Sequence, residues 1–416
     1  MLQGKHILVG ISGGIAAYKI PELIRLLVKA GAEVRVTTTK NALQFVTTLT
    51  LETLSNASVY SDVFAAINEH KTEHISLPRW ADLMVIAPAT ADVLAKCAHG
   101  IADDALTTTY SATVAQKPVL MVPAMNDQMY QSAANQQALQ TLAATKNVTI
   151  LDAAEGELAC GSNGKGRMQE PEQIVAAADY MLTDKDLIGR HILITAGPTQ
   201  EPLDPVRYLS NYSTGKMGYA LARQAYRRGA HVTLISGPTN LPAEQGVSTF
   251  IPTQGIETIS VKTAEEMYHT CLHHWNEADT AILCAAVADF TPHEVAGEKI
   301  KKAPGQQTFS LSMDLTHDIA AALGQTKQAR QQLIGFALET QNETANALHK
   351  LESKHLDMIV LNSLRNPGAG FGCDTNIVTF IKQDGTQKKL PPSFQGGSSR
   401  YHLNGTFPLI LLQSTE

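Results

Sequence analysis

A short apolar run, Ile7-Leu8-Val9-Gly10-Ile11, lies near the start of the chain and ends in Ser12-Gly13-Gly14. The next apolar positions, Ile20, Leu23, Ile24 and Leu27, recur at spacings of three and four, the period of one helix face. Gly31 closes that helix and Val34-Arg35-Val36 predicts a second strand. Pro21 falls early in the helix, where its missing N–H costs least. The pattern predicts a strand, a turn, a helix and a strand in succession. The same grammar returns at His191-Ile192-Leu193-Ile194-Thr195, followed by Ala196-Gly197-Pro198-Thr199 and a long loop. Gly215-Lys216-Met217-Gly218 then opens a helix running through Arg228, Gly229 ends it, and Val232-Thr233-Leu234-Ile235 is the next strand. Further buried strands are predicted over 83–87, 119–122, 281–285, 333–336 and 358–361, alternating with helical stretches. Two doubly wound, three-layer α/β domains with mainly parallel sheets follow. The polar stretch Thr183-Asp184-Lys185-Asp186, after a helix predicted over 172–182, divides them. Residues 1–183 form one domain and 190–416 the other.

Composition narrows the classes. The 416 residues are 44% apolar and 17% charged, which excludes a disordered or fibrous chain. With 33 Lys and Arg against 39 Asp and Glu, the net charge of −6 argues against nucleic acid as the main partner. No apolar run approaches the ~20 residues that span a bilayer, so no membrane partner is expected. The start, Met1-Leu2-Gln3-Gly4-Lys5-His6, runs straight into a strand and predicts no signal peptide. Cys97, Cys160, Cys271, Cys284 and Cys373 are odd in number, widely spaced and without a C-x-x-C pair. A disulfide framework or zinc knuckle is therefore not expected, and a reduced cytoplasm is.

In the first half, Gly10, Gly13 and Gly14 lie where a strand meets a helix N-terminus, a place that suits a phosphate, although the pattern is not G-x-G-x-x-G. Ala87-Pro88-Ala89-Thr90-Ala91-Asp92 and Pro123-Ala124-Met125-Asn126 each follow the carboxyl end of a predicted strand, where α/β sheets place ligands. Asn126 can hold a carboxylate or simply cap a helix. His74 precedes the strand over 83–87, and a lone histidine is more often a surface residue. Cys160 sits among the glycines of Ala159-Cys160-Gly161-Ser162-Asn163-Gly164-Lys165-Gly166-Arg167-Met168, a pattern that fits a flap over a substrate or a plain surface loop.

Taken in order, Gly-Gly-Ile-Ala-Ala-Tyr-Lys (13–19), His74, Ala-Pro-Ala-Thr-Ala-Asp (87–92), Pro-Ala-Met-Asn-Asp-Gln-Met-Tyr (123–130) and the Cys160 segment resemble the flavin-dependent cysteine decarboxylases that act on 4′-phosphopantothenoylcysteine. The resemblance covers about the first 180 residues. It implies bound FMN, with Gly13, Gly14, Thr38, Thr90, Ala91 and Asp92 as cofactor-binding residues. It also places His74 and Asn126 on the substrate and makes Cys160 a proton donor. A simple α-amido carboxylate has no electron sink for loss of CO2. Oxidation of the substrate's CH2–SH to a thioaldehyde makes the sulfur that sink, and CO2 leaves to give an enethiolate. Asn126 holds the carboxylate without a positive charge that would stabilise the ground state.

In the second half, Gly215-Lys216 is not a P-loop, because Ser210 and Met217 stand where that motif needs Gly and Ser or Thr. Asn211 lies in a polar loop, and Asp289 ends Ala-Ala-Val-Ala-Asp at the carboxyl end of a predicted strand. Lys299-Ile300-Lys301-Lys302 is a basic knot suited to polyphosphate. Lys350 and Lys354 share one helix face, though each lysine taken singly is more often a solvated surface residue.

Ile-Thr-Ala-Gly-Pro-Thr-Gln-Glu-Pro-Leu-Asp-Pro-Val-Arg-Tyr (194–208), Ser-Thr-Gly-Lys-Met-Gly (213–218), Ala-Ala-Val-Ala-Asp-Phe (285–290), Glu-Lys-Ile-Lys-Lys (298–302) and Gly-Phe-Ala-Leu-Glu-Thr (335–340) resemble phosphopantothenate–cysteine ligase, in the bacterial form fused behind the decarboxylase. The resemblance covers residues 190 to about 382. It implies that CTP and Mg2+ activate the 4′-phosphopantothenate carboxylate as an acyl-cytidylate, which cysteine attacks. Lys299 is implied to stabilise charge on the nucleotide phosphate and Asn211 to serve the second step. Asp289, Lys299, Asp318, Phe336, Lys350 and Lys354 are implied to bind CTP, with no metal ligand identified. The family often has Lys-Asn-Pro-Asp-Ile where this chain has Leu315-Thr316-His317-Asp318-Ile319; the aspartate is kept and the lysine is not. After residue 394 the chain turns polar and loop-like, away from the family's helix. A cytoplasmic, homo-oligomeric coenzyme A biosynthesis enzyme acting on small molecules is expected, with flavin sites at subunit contacts. The rivals are a nicotinamide dehydrogenase, disfavoured by the missing glycine fingerprint, and a non-catalytic module that kept the flavin fold.

Overall fold

The computed structural model describes residues 2–64, 72–157, 161, 163–241, 255–302, 304–305, 307–339, 341–363, 375–376, 378–389 and 393–394. The chain divides into two compact units that change over between Asp184 and Lys185.

Unit 1 begins with β1 (His6–Ile11), a short 3-10 turn (Ile15–Lys19) and α1 (Ile20–Lys29). Then come β2 (Glu33–Thr38), α2 (Thr48–Ser55), β3 (Val59–Tyr60), α3 (Glu73–Trp80), β4 (Leu83–Ala89), α4 (Ala91–His99), α5 (Ala105–Val114) and β5 (Val119–Pro123). They are followed by α6 (Asp127–Gln131), α7 (Ala133–Ala143) and β6 (Val148–Ile150). A hairpin of β7 (Ala154–Glu157) and β8 (Asn163–Arg167) precedes α8 (Pro171–Leu182). The sheet is parallel, ordered β3-β2-β1-β4-β5-β6, so its direction of growth reverses between β1 and β4. Alternation along the central strands explains the layers. Ile7, Val9 and Ile11 pack with α1 and α8 in one buried cluster, while Leu8 packs with α4, α5 and α7 in another. The four apolar positions of α1 predicted to share a face, Ile20, Leu23, Ile24 and Leu27, are all fully buried. Each such side chain contributes about 1.5–3 kcal/mol on leaving water.

Unit 2 contains β9 (His191–Ala196), the two-stranded pair β10 (Glu201–Pro202) and β11 (Tyr208–Leu209), α9 (Lys216–Arg227), β12 (His231–Ser236), β13 (Ile256–Ser260), α10 (Ala264–Trp275) and β14 (Thr280–Leu283). It continues with β15 (Phe290–Pro292), β16 (Met313–Leu315), α11 (Ile319–Thr326), β17 (Gln332–Glu339), α12 (Glu343–Ser353) and β18 (Met358–Ser363). The last elements are β19 (Thr375–Asn376), β20 (Val378–Lys382), β21 (Gln387–Lys389) and β22 (Ser393–Phe394). The main sheet runs β13-β12-β9-β14-β17-β18-β20-β21. Its first six strands are parallel and its last two antiparallel, and its order again reverses beside the first strand. Gly218 lets α9 close on β9, since a Cβ there would lie 2.6 Å from that of Ala196.

One sequence expectation shifts. The strand predicted over 281–285 ends at Leu283, because the Ala285 amide donates to Thr195 Oγ1 and the Ala288 amide to Thr199 Oγ1 instead of to a neighbouring strand. Asp289 therefore stands in a loop six residues past the strand. Asp186 pairs with the buried Arg228 at the C-cap of α9, and that hydrogen-bonded guanidinium holds the Asp186 carboxyl below its ordinary range.

Candidate functional site

Unit 1 carries its candidate site at the carboxyl ends of β1 and β4, where the strand order reverses. Ser12 Oγ donates to Pro88 O (2.6 Å) and to Thr90 Oγ1 (3.0 Å), and it accepts from the Thr90 amide (3.1 Å). This hydroxyl knots the two strand-end loops together. Gly13 and Gly14 bring bare backbone to the knot: a Cβ on Gly13 would lie 2.5 Å from that of Asn41, and one on Gly14 would lie 3.1 Å from Thr90 Cγ2. Thr90 is the N-cap of α4 but makes no side-chain cap bond to it, so the helix start at Ala91 and Asp92 is presented to an anion. Asp92 itself pairs with Lys96 at 3.3 Å.

At the adjoining end of β2, the hydroxyls of Thr37 and Thr38 are buried with no hydrogen-bond partner. A buried hydroxyl without a partner carries a cost that a ligand acceptor would remove. Orphaned hydroxyls, bare glycine backbone and an uncapped helix start fit a phosphate-bearing ligand with hydrogen-bond acceptors.

Asn126 caps α6, with Oδ1 accepting from the Gln128 amide at 2.9 Å. His74 is half-buried in the first turn of α3. Cys160 lies outside the described residues, but the two strands on either side of it are described. β8 runs against the Asn126 segment: the Met125 amide donates to Gly166 O (2.9 Å), and a Cβ on Gly164 would lie 2.8 Å from that of Asp127. Sequence reasoning missed the clamp on this hairpin. The Asp152 carboxylate bonds both Tyr130, on α6, and Lys165, on β8. No spacing rule marks three such distant residues.

Unit 2 holds a cleft of about 780 Å³. Its walls come from the Gly215–Gly218 turn, the segments over 283–290 and 315–320, and the middle of β17. Asp289, Asp318, Phe336, Lys350 and Lys354, five of the six residues implied to bind nucleotide, all line it. Gly215 takes a left-handed conformation (φ +77°) as N-cap of α9, turning the helix start into the cleft without a side-chain cap.

Of the three lysines that line the cleft, Lys216, Lys350 and Lys354, the last two stand against carboxylates. Lys350 Nζ lies 2.6 Å from Glu339, and Lys354 Nζ lies 2.9 Å from Asp318. Burial acts to raise the Asp318 carboxyl, but the Ala321 amide, Lys354 and the Ala320 amide outweigh it and hold it below its ordinary range. Burial likewise acts to raise Glu339, and hydrogen bonds from Lys350 and Asn346 outweigh it. Glu339 was not singled out in the sequence, although its place at the end of a buried strand marks it.

Two implied residues lie off this cleft. Asn211 borders a neighbouring hollow that shares Asp289 and Phe290 with it; its Nδ2 donates to Ala286 O, and its Oδ1 accepts from the Ser213 amide at 3.0 Å. Lys299 is exposed and lines neither hollow. Among the described residues no group of three His, Cys, Asp or Glu side chains could hold a metal ion, and no helix is long and apolar enough to cross a membrane.

Two doubly wound units, one with bare glycine backbone beside an open helix start and one with a lysine-lined cleft, define a two-domain α/β enzyme. Residues 1–183 match the family model for flavoproteins, and residues 187–396 match that for the DNA/pantothenate metabolism flavoprotein C-terminal domain. The coenzyme A biosynthesis bifunctional protein CoaBC of Bacillus subtilis is 46% identical over 394 residues, 94% of each chain. That of Vibrio cholerae is 45% identical over 390 residues, again 94% of each. The Escherichia coli protein of the same name is 44% identical over 392 residues, 94% of this chain and 93% of that one. The chain belongs to this family of bifunctional coenzyme A biosynthesis enzymes.

Proposed function

We propose that unit 2 joins 4′-phosphopantothenate to cysteine by way of an acyl-cytidylate formed from CTP, and that unit 1 decarboxylates the resulting 4′-phosphopantothenoylcysteine to 4′-phosphopantetheine. The observation that carries the ligase half is the convergence of Lys350, Lys354, Asp289, Asp318 and Phe336 on the cleft beside the α9 helix start. Two ammonium groups and open helix amides offset triphosphate charge. A carboxylate and an amine only form a salt at neutral pH, so activation is needed before a bond can form. Lys299 stabilises charge on the departing phosphates, and Asn211 holds the acyl group for the amine. Mg2+ would bridge the nucleotide's phosphates.

In unit 1, Gly13, Gly14, Thr38, Thr90, Ala91 and Asp92 would hold FMN, the choice favoured by the orphaned threonine hydroxyls and the uncapped α4 start. When bound, FMN supplies the two-electron redox chemistry that lets the substrate sulfur act as electron sink. The chain's own residues orient the substrate. Asn126, uncharged, holds the carboxylate without stabilising it against loss of CO2. His74 positions the substrate or takes up a proton, and Cys160 returns one at the end. Exposed Ile15, Tyr18 and Leu49, close in the chain to the crevice loops, support a homo-oligomer with flavin sites at subunit contacts. A reduced cytoplasm suits the free cysteines Cys97, Cys271 and Cys284.

Mass spectrometry of a reaction containing 4′-phosphopantothenate, cysteine, CTP and Mg2+ tests this reading. The expected product is 4′-phosphopantetheine. Unchanged 4′-phosphopantothenate would overturn the ligase half, and accumulation of 4′-phosphopantothenoylcysteine would overturn the decarboxylase half.

A further inference from the structure

The turn between β10 and β11 is closed by the Leu203 amide on Arg207 O (2.9 Å) and the Asp204 amide on the same oxygen (3.3 Å). Within it the Asp204 side chain is entirely covered and accepts five hydrogen bonds. Oδ1 takes the Val206 and Arg207 amides at 2.9 and 2.8 Å, which is all that the turn requires. Oδ2 takes the Arg207 guanidinium, with Nε at 3.0 Å, and the Ile300 amide at 3.1 Å. Arg207 Nη2 also donates to Ile300 O at 2.9 Å. Both backbone polar groups of Ile300 are therefore bound to the Asp204–Arg207 pair.

Four residues earlier, the Ala296 amide donates to Leu203 O at 3.1 Å and secures the other end of the same segment. Lys299 lies between these two anchors, one residue from Ile300. On its other side, the hairpin runs through β11 into Ser210 and Asn211. One buried carboxylate thus joins the segment bearing Asn211 to the segment bearing Lys299.

We propose that Asp204 is a positioning residue for Lys299 in the ligase reaction, acting through the Ile300 backbone; this rests on the reading of unit 2 given above. Asp204→Asn isolates the role. The amide keeps an acceptor for the two turn amides, but sets an NH2 donor against the guanidinium and the Ile300 amide. The turn survives and the tie to Lys299 is cut.

The test is a double-variant cycle on the full-length chain. It reads CTP- and 4′-phosphopantothenate-dependent pyrophosphate release for wild type, Asp204→Asn, Lys299→Arg and the double variant. Loss of CO2 from supplied 4′-phosphopantothenoylcysteine serves as the internal control. The expected result is that Asp204→Asn slows pyrophosphate release by about tenfold or more, leaves the control within about twofold, and slows Lys299→Arg by no more than about twofold further. Hydrogen exchange in a peptide spanning 296–302 should rise in Asp204→Asn, with no rise in peptides from unit 1.

Pyrophosphate release at the wild-type rate, equal slowing in both backgrounds, or unchanged exchange over 296–302 would each overturn the proposal. A wild-type chain that releases no pyrophosphate would instead overturn the ligase reading itself. Should Asp204→Asn fail to fold, Arg207→Met enters the same cycle: it removes the bond to Ile300 O and leaves the Ile300 amide on Asp204, so a smaller slowing of pyrophosphate release is expected, again absent in the Lys299→Arg background, and a wild-type rate would overturn the proposal.

Discussion

Lys354 Nζ lies 2.9 Å from an Asp318 carboxylate oxygen, joining the C-cap of α12 to the N-cap of α11 within the wall of the unit 2 cleft. The contact keeps an ammonium group in place before any anion arrives, so less side-chain entropy is lost on binding. Lys354→Met should raise the half-saturating CTP concentration by about tenfold, the effect of losing one charge-assisted contact of ~1.4 kcal/mol. Calorimetric titration with CTP checks this, and an unchanged affinity would remove Lys354 from the nucleotide site.

In unit 1, Thr38→Val keeps the shape of the residue and removes a buried hydroxyl that has no protein partner. Without flavin the variant should be no less stable than wild type, and up to about 1 kcal/mol more stable. It should also retain less flavin per chain, read from visible absorbance after gel filtration. Full flavin content would show that the hydroxyl does not serve the cofactor.

Asp186, half-exposed, pairs with the buried Arg228 and holds the first residues of unit 2 to the end of α9. Asp186→Ala leaves a guanidinium that is only 2% exposed without its carboxylate. The expected loss is about 2 kcal/mol, less than for a fully buried pair because Asp186 is itself half-exposed. Urea unfolding measures it, and a loss below about 0.5 kcal/mol would mean that water or other groups replace the carboxylate.

His191 and His231 sit with ring centres 4.4 Å apart at the amino ends of β9 and β12. Burial first, and then His231, push the His191 imidazole below its ordinary value of 6.5, against opposing help from Glu277 and Asp279. The folded state therefore resists a proton that the unfolded chain accepts. Unit 2 should lose stability as pH falls through and below 6.5, and should regain it above. Urea midpoints at several values between pH 5 and 8 test the sign. His231→Gln should flatten the curve, and a curve unchanged by that substitution would exclude the pair as its cause.

Much of this was legible in the pattern of residues because it depends on periodicity and on strand ends. The faces of α1, the carboxyl-end loops at Gly13 and Thr90, and the approach of Lys350 and Lys354 to one cleft from the end of α12 all follow from spacings of two, three and four. Asp289 was misplaced at a strand terminus because two threonine hydroxyls, from distant segments, take over the amides that would have extended β14. Glu339, Arg228 and the Asp204–Arg207 hub escaped notice for a related reason. Their roles are set by partners between 3 and about 100 positions away, and no local rule ties a buried carboxylate to Ile300. Lys299, whose nucleotide role is implied by the family resemblance, stands exposed and lines neither hollow of unit 2.

The most direct test of two cooperating active units is a single time course on the flavin-loaded full-length chain, following pyrophosphate and CO2 together from 4′-phosphopantothenate, cysteine and CTP. The account predicts pyrophosphate first, then CO2 after a lag, reaching one of each per 4′-phosphopantetheine formed. Pyrophosphate with no CO2, or CO2 from supplied 4′-phosphopantothenoylcysteine with no CTP-dependent pyrophosphate, would contradict it.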